Sequence, residues 1–118
     1  MKRTVLVVDD EPSLNVTMRI ILEAKGYGVA EAENAGQAIE CIRRRKFDVL
    51  LADMNLPGDG GTVVRAMREQ QPGSLIVVIT GFIAPDAIPA PVRALVDEVL
   101  TKPTDIAHLL ALLARRLS

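Results

Sequence analysis

Thiols and aromatic rings are scarce in this chain of 118 residues, which holds one cysteine, no tryptophan, one tyrosine, two phenylalanines and one histidine. A lone Cys41 excludes a disulfide framework and a multi-thiolate zinc site. An excess of one charge is missing too. With 14 basic and 15 acidic side chains the formal net charge is -1, which argues against nucleic-acid binding, since that needs a basic face to displace counterions. No apolar run approaches the roughly 20 residues of a membrane span. The opening Met1-Lys2-Arg3-Thr4 is basic, but the apolar run after it ends at Val8, so it does not read as a signal peptide. The expectation is a cytoplasmic protein of one domain, residues 1–118, with no nucleic-acid or membrane partner. What is present is 49% hydrophobic and 25% charged residues, the composition of an ordinary globular domain, able to bury roughly two thirds of its unfolded surface.

Three apolar runs, Val5 to Val8, Val49 to Ala52 and Leu75 to Ile79, read as strands buried on both faces. Tyr27 to Glu33 and Glu98 to Thr101 mix apolar and polar residues as edge strands do. Helical spacing fills the gaps. Pro12 to Lys25 places Leu14, Met18, Ile21 and Leu22 on one side, with Gly26 as its stop. A second helix opens with Asn34 and Gln37, an Asn variant of the capping box, groups Ala35, Ala38, Ile39 and Ile42, and ends in Arg43-Arg44-Arg45-Lys46. Those cations suit the negative end of the helix dipole. Thr62 to Gln71 forms a third, after the turn Pro57 to Gly61. The last, Asp105 to Leu117, aligns Ile106, Leu109, Leu110, Leu113 and Leu117, with Thr104 as the expected cap and Leu112 off the stripe as a candidate partner contact. Cys41 reads as a small buried thiol and His108 as remote from any site. Strand and helix alternating five times call for one doubly wound α/β domain with a five-stranded parallel sheet.

Ligands of such sheets sit at the carboxyl ends of the strands. There the chain places Asp9-Asp10-Glu11, Asp53, Thr80-Gly81 and Lys102-Pro103. Each alone has a plain structural explanation: an aspartate forms a turn, a lysine is a solvated charge. Together they form a coherent acid, acid, hydroxyl and lysine set. Carboxylates about 4 Å apart repel by roughly 4 kcal/mol at an effective dielectric near 20, so positive charge must join them. Lys102 supplies one, and a hard divalent cation such as Mg²⁺ would supply the rest. A metal-bound carboxylate beside a hydroxyl and an ammonium is what phosphoryl transfer to Asp53 needs.

Val5-Leu6-Val7-Val8-Asp9-Asp10-Glu11-Pro12, Asp53-Met54-Asn55-Leu56-Pro57-Gly58, Val78-Ile79-Thr80-Gly81 and Leu100-Thr101-Lys102-Pro103 resemble the receiver domain of two-component response regulators, over the whole chain. The resemblance implies a CheY-like sheet of order 2-1-3-4-5 and a phosphoacceptor, Asp53, that signals without being an enzyme in its own right. It implies Mg²⁺ held by Asp10, Asp9, Asp53 and the main-chain carbonyl of Asn55. Thr80 would be the switch hydroxyl, followed by Gly81, and Lys102 the counter-charge, with a cis bond to Pro103. The implied partners are a histidine kinase or phosphotransfer protein as donor and an output domain or partner protein beyond this chain.

Two departures concern the signal's output. The family's aromatic three positions before the lysine is Val99 here, leaving Phe82 as the aromatic near the site; it would shield an acyl phosphate from water or merely pack against its loop. The segment from Ala84 to Val92 carries Pro85, Pro89 and Pro91, and a proline inside a helix costs about 3 kcal/mol. An extended loop after Gly81 and a short, displaced fourth helix, from Pro89–Pro91 to Val96, are therefore expected. The family uses this face for partners or homodimers, and the prolines argue against its usual dimer mode. The competing readings are a receiver-like binding module that is not phosphorylated and a Mg²⁺-dependent aspartate-nucleophile phosphatase. Asn55 where an acid could protonate a leaving group weighs against the latter. A flavodoxin-like cofactor module is disfavoured by Asp9-Asp10-Glu11, which repels phosphate.

Overall fold

β1 (Thr4–Val8), β2 (Gly28–Ala32), β3 (Val49–Asp53), β4 (Leu75–Thr80) and β5 (Glu98–Thr101) pair in parallel in the order β2-β1-β3-β4-β5. The computed structural model describes residues 2–56, 59–81 and 88–117. β1, β3 and β4 are buried almost throughout, whereas β2 and β5 are mostly half-buried, as their mixed sequences led one to expect. Val8 lies level with both Ala32 and Ala52, and Asp53 with Ile79. The ends of β1 and β3 therefore arrive side by side at one edge of the sheet.

Alternation along the strands divides the core. Leu6, Val8, Leu50, Ala52, Ile76 and Val78 pack with α2 (Ala35–Arg44), α3 (Gly60–Gln70) and the short α4 (Ala90–Arg93). Val5, Val7, Val49, Leu51 and Val77 pack with Leu22 of α1 (Pro12–Ala24) and with Leu109, Leu112 and Leu113 of α5 (Ile106–Leu117). Period-2 patterning thus feeds a helical layer on each face.

Local chemistry sets the helix ends. α1 stops at Gly26, whose φ of 93° admits the turn; the N–H of Gly26 donates to Glu23 and that of Tyr27 to Leu22, a Schellman closure. Asn34 Oδ1 caps α2 by accepting from the Gln37 N–H at 2.9 Å, while Gln37 Oε1 accepts from the Glu33 N–H. α3 starts two residues earlier than the spacing predicts, because Asp59 Oδ1 accepts from the Gly61 N–H. A Cβ on Gly60 would meet the Met54 carbonyl at 2.9 Å, so glycine lets α3 begin against the exit of β3. The α5 cap is Asp105, accepting from the His108 N–H, and not Thr104. Leu112, expected off the apolar stripe, is buried in the core, so it offers no partner contact. Cys41 is half-buried against the α2 face of the core.

The fourth helix is short, as the prolines require. α4 runs only from Ala90 to Arg93, preceded by Pro89, and turns finish near Val96. The expected loop after Gly81, with Phe82 and Pro85, lies outside the described residues.

Arg68 of α3 ties this side together. It donates to the carbonyls of Pro72, Ser74 and Leu95 and pairs with Asp97 at 3.0 Å, while Asp97 accepts from the Ile76 N–H. Arg68→Met leaves these acceptors without their donor, and urea unfolding should show a loss of about 2 kcal/mol.

Candidate functional site

The acidic, hydroxyl and lysine candidates stand at the carboxyl edge of the sheet. Asp9 follows β1 directly, Asp53 and Thr80 close β3 and β4, and Lys102 follows β5. Hydrophobic runs drive each strand into the core and deliver the first polar residue to its rim, so Asp9, Asp53 and Thr80 are themselves buried, at 8%, 4% and 3% exposure. Asp10 is exposed beside them.

Two aspartates share one bonding pattern. Asp9 Oδ1 accepts from the Glu11 N–H at 3.0 Å and Asp53 Oδ1 from the Asn55 N–H at 2.9 Å. These tight turns are made by the side chain itself. The other oxygen of each carboxylate goes to Lys102, whose Nζ lies 3.2 Å from Asp9 Oδ2 and 2.8 Å from Asp53 Oδ2. Lys102 is aimed by its main chain, because its N–H donates to the Thr80 carbonyl at 2.9 Å. The Lys102–Pro103 peptide bond is cis, as expected. Desolvation by burial works against the charge of Lys102, but hydrogen bonds and coulombic attraction from Asp53 and then Asp9 outweigh it and hold its pKa above the ordinary lysine value.

Carboxylate oxygens of Asp9, Asp10 and Asp53 all come within 4.8 Å of one another. Three carboxylates and one ammonium leave an excess of two negative charges in this cluster. An all-oxygen, anionic donor set of this kind fits a hard divalent cation. Beside it a cavity of about 530 Å³ opens between α1 and the start of α5, bordered by Leu14, Met18 and Pro103 as well as by Asp53 and Lys102.

A family model for the response regulator receiver domain matches residues 5–114. The chain belongs to this family. A response regulator receiver protein from Anaeromyxobacter sp. strain Fw109-5 is 39% identical over 111 residues, 93% of this chain and 47% of that protein. The response regulator PilR of Pseudomonas aeruginosa is 32% identical over 98% of this chain and 26% of its own length. This receiver domain thus spans half or less of these curated relatives. Among solved structures, the chemotaxis response regulator CheY4 of Vibrio cholerae superposes with a TM-score of 0.85 at 28% identity, covering 98% of both chains. A Burkholderia pseudomallei response regulator, described with a phosphorylated aspartic acid, a calcium ion and citrate, gives 0.84 at 28% identity over 93% of this chain and 65% of its own. These matches favour neither the phosphatase nor the flavodoxin-like reading.

The receiver domain's remaining expected residues fall into three groups. Asn55 touches the cluster through its N–H. Gly81 borders the cavity and Pro103 does so too, while Val99 packs inward against the α2–α3 core, away from that cavity. Phe82 lies outside the described residues. Among the described residues, no helix is long and apolar enough to cross a membrane.

Periodicity misplaced one position of α1. Leu14, expected on the buried stripe, is 41% exposed, and the polar Asn15 is buried in its place. A hydropathy pattern has no means to select an asparagine for the interior. Its only sequence signal is its spacing three and seven residues before Met18 and Leu22.

The raised pKa of Lys102 carries a signed pH effect. A group whose folded pKa exceeds its unfolded value stabilises fully below the latter and loses that contribution as pH rises through the former. In metal-free protein the stability difference between wild type and Lys102→Met, measured by urea unfolding, should be constant from pH 8 to about 10 and shrink above the ordinary lysine pKa of about 10.4.

Proposed function

We propose that residues 1–118 form one receiver domain in which Asp53 accepts a phosphoryl group from a phosphohistidine on a histidine kinase or phosphotransfer protein. The observation that carries this reading is the buried Asp53 carboxylate, 2.8 Å from Lys102 Nζ and within 4.8 Å of the Asp9 and Asp10 carboxylates. Asp9, Asp10 and Asp53, with the main-chain carbonyl of Asn55, would hold Mg²⁺. When bound, the cation neutralises the carboxylates and the oxygens of the incoming phosphoryl group.

A carboxylate oxygen of Asp53 attacks phosphorus, the P–N bond breaks, and the imidazole leaves with a proton. The ammonium of Lys102, now paired with Asp53, shifts to the phosphoryl oxygens and so keeps a partner of the same sign. The Thr80 hydroxyl stands at the adjoining strand end to donate to a further oxygen. Only contacts that differ between the two states can shift a conformational equilibrium, so Thr80, Gly81 and Phe82 are the residues through which the new charge is read. Water later attacks the acyl phosphate and returns Asp53 to its carboxylate. The domain promotes these steps on itself and turns over no separate substrate.

The solved response regulator with a phosphorylated aspartic acid and calcium supports the reading, and the greater length of the curated relatives supports an output domain or partner protein beyond this domain. Such a signalling domain belongs in the cytoplasm. Val99, lacking a ring, leaves aromatic rotation at that position out of the switch. The short α4 disfavours a dimer that needs a long fourth helix.

The test is intact-mass spectrometry after incubation with acetyl phosphate. Wild type should gain one phosphoryl group when Mg²⁺ is present and none in EDTA, and Asp53→Asn should gain none. A wild-type gain that persists in Asp53→Asn would place the acceptor elsewhere, and no gain from either acetyl phosphate or a phosphohistidine donor would favour a binding module that is not phosphorylated.

A further inference from the structure

Asn15 is a buried polar residue for which phosphoryl transfer has no direct use. It sits in the first part of α1 at 1% exposure. Its Nδ2 donates to the Asp9 carbonyl at 2.9 Å and to the Ala32 carbonyl at 3.1 Å. The Ala32 carbonyl also accepts from the Asp9 N–H, at 3.1 Å. Both main-chain polar groups of Asp9 are therefore tied, one to the end of β2 and the other to α1.

The amide is costly where it stands. Among the described residues its buried Oδ1 has no hydrogen-bond partner, and a leucine, with the same branched shape, would avoid that cost while continuing the stripe of Met18 and Leu22. The two donated bonds are what the asparagine supplies and a leucine cannot. They act where β1 leaves the sheet, at the residue before Asp10, and the direction of the chain there decides where the carboxylates of Asp9 and Asp10 point.

We propose that Asn15 is a positioning residue for the divalent cation: acting through the Asp9 main chain, it holds Asp9 and Asp10 in register with Asp53 and touches neither metal nor phosphoryl group. The inference rests on the reading of the acidic cluster as a Mg²⁺ site. Partners outside the ligand shell commonly set metal affinity by factors of 10 to 100.

MgCl₂ titrated into metal-free protein by calorimetry gives the affinity, and thermal unfolding in EDTA gives the stability of each variant. Asn15→Leu removes the donors and keeps the branched shape at a larger volume; Asn15→Ala guards against an overpacked leucine. Leu112→Val, in the α5 core, reports what a general loss of stability does to metal binding. The expected result is a Mg²⁺ affinity at least about tenfold weaker in both Asn15 variants, against a change within about twofold in Leu112→Val. Asn15 variants that bind Mg²⁺ as wild type does, or only as weakly as Leu112→Val, would overturn the proposal. Wild type that binds no Mg²⁺ would instead overturn the metal reading on which it depends, and the two failures are told apart by the wild-type titration.

Discussion

The ammonium of Lys102 between the carboxylates of Asp9 and Asp53 is the interaction to which the functional edge is arranged. The two acids come from strands adjacent in the sheet, and the base follows the edge strand on the far side of β4. Parallel pairing brings all of these strand ends to one rim, so opposite charges distant in sequence meet there. A single lysine cannot balance three acids, and the remaining charge makes the site receptive to a divalent cation. Stability and function pull against each other at this rim, since the carboxylates that a cation requires are a source of repulsion in its absence.

The surrounding structure holds that repulsion in place. Asp9 and Asp53 each fold back on the main chain two residues on, leaving one oxygen bound and the other presented to Lys102. Gly60 permits α3 to start against Met54, which confines the turn after Asp53. Asn15 fixes the main chain of Asp9 from the other side. The strands that deliver the acids are buried between two apolar layers that cannot shift without opening the core.

Much of this was legible from residue order alone. The three short apolar runs read as central strands, and the polar residue ending each was then expected at the carboxyl rim. Hence Asp9, Asp53 and Thr80, together with Lys102 after the mixed fifth segment, were identifiable as a set before any geometry was known. Pro89 and Pro91 shortened the fourth helix for a reason that is local and covalent, a fixed φ and a missing N–H. Helix ends were less legible, because a cap depends on which of two neighbouring polar side chains reaches the free N–H groups. Asp105 does so where Thr104 was expected, and Asp59 starts α3 early.

By itself, then, the sequence determined the alternation of strand and helix and which acidic, hydroxyl and basic side chains stand at the rim, since these follow from hydropathy periods, backbone restrictions and side-chain type. Only the tertiary structure decided which face of α1 turns inward, sending Leu14 to solvent and Asn15 into the core, and that Leu112 packs beneath the sheet. The physical reason is that burial is a property of neighbours. A side chain is enclosed by whatever the helix axis, the sheet twist and the opposing layer place around it, and an asparagine is accepted inside when the carbonyls of Asp9, just after β1, and Ala32, at the end of β2, stand within reach of its amide.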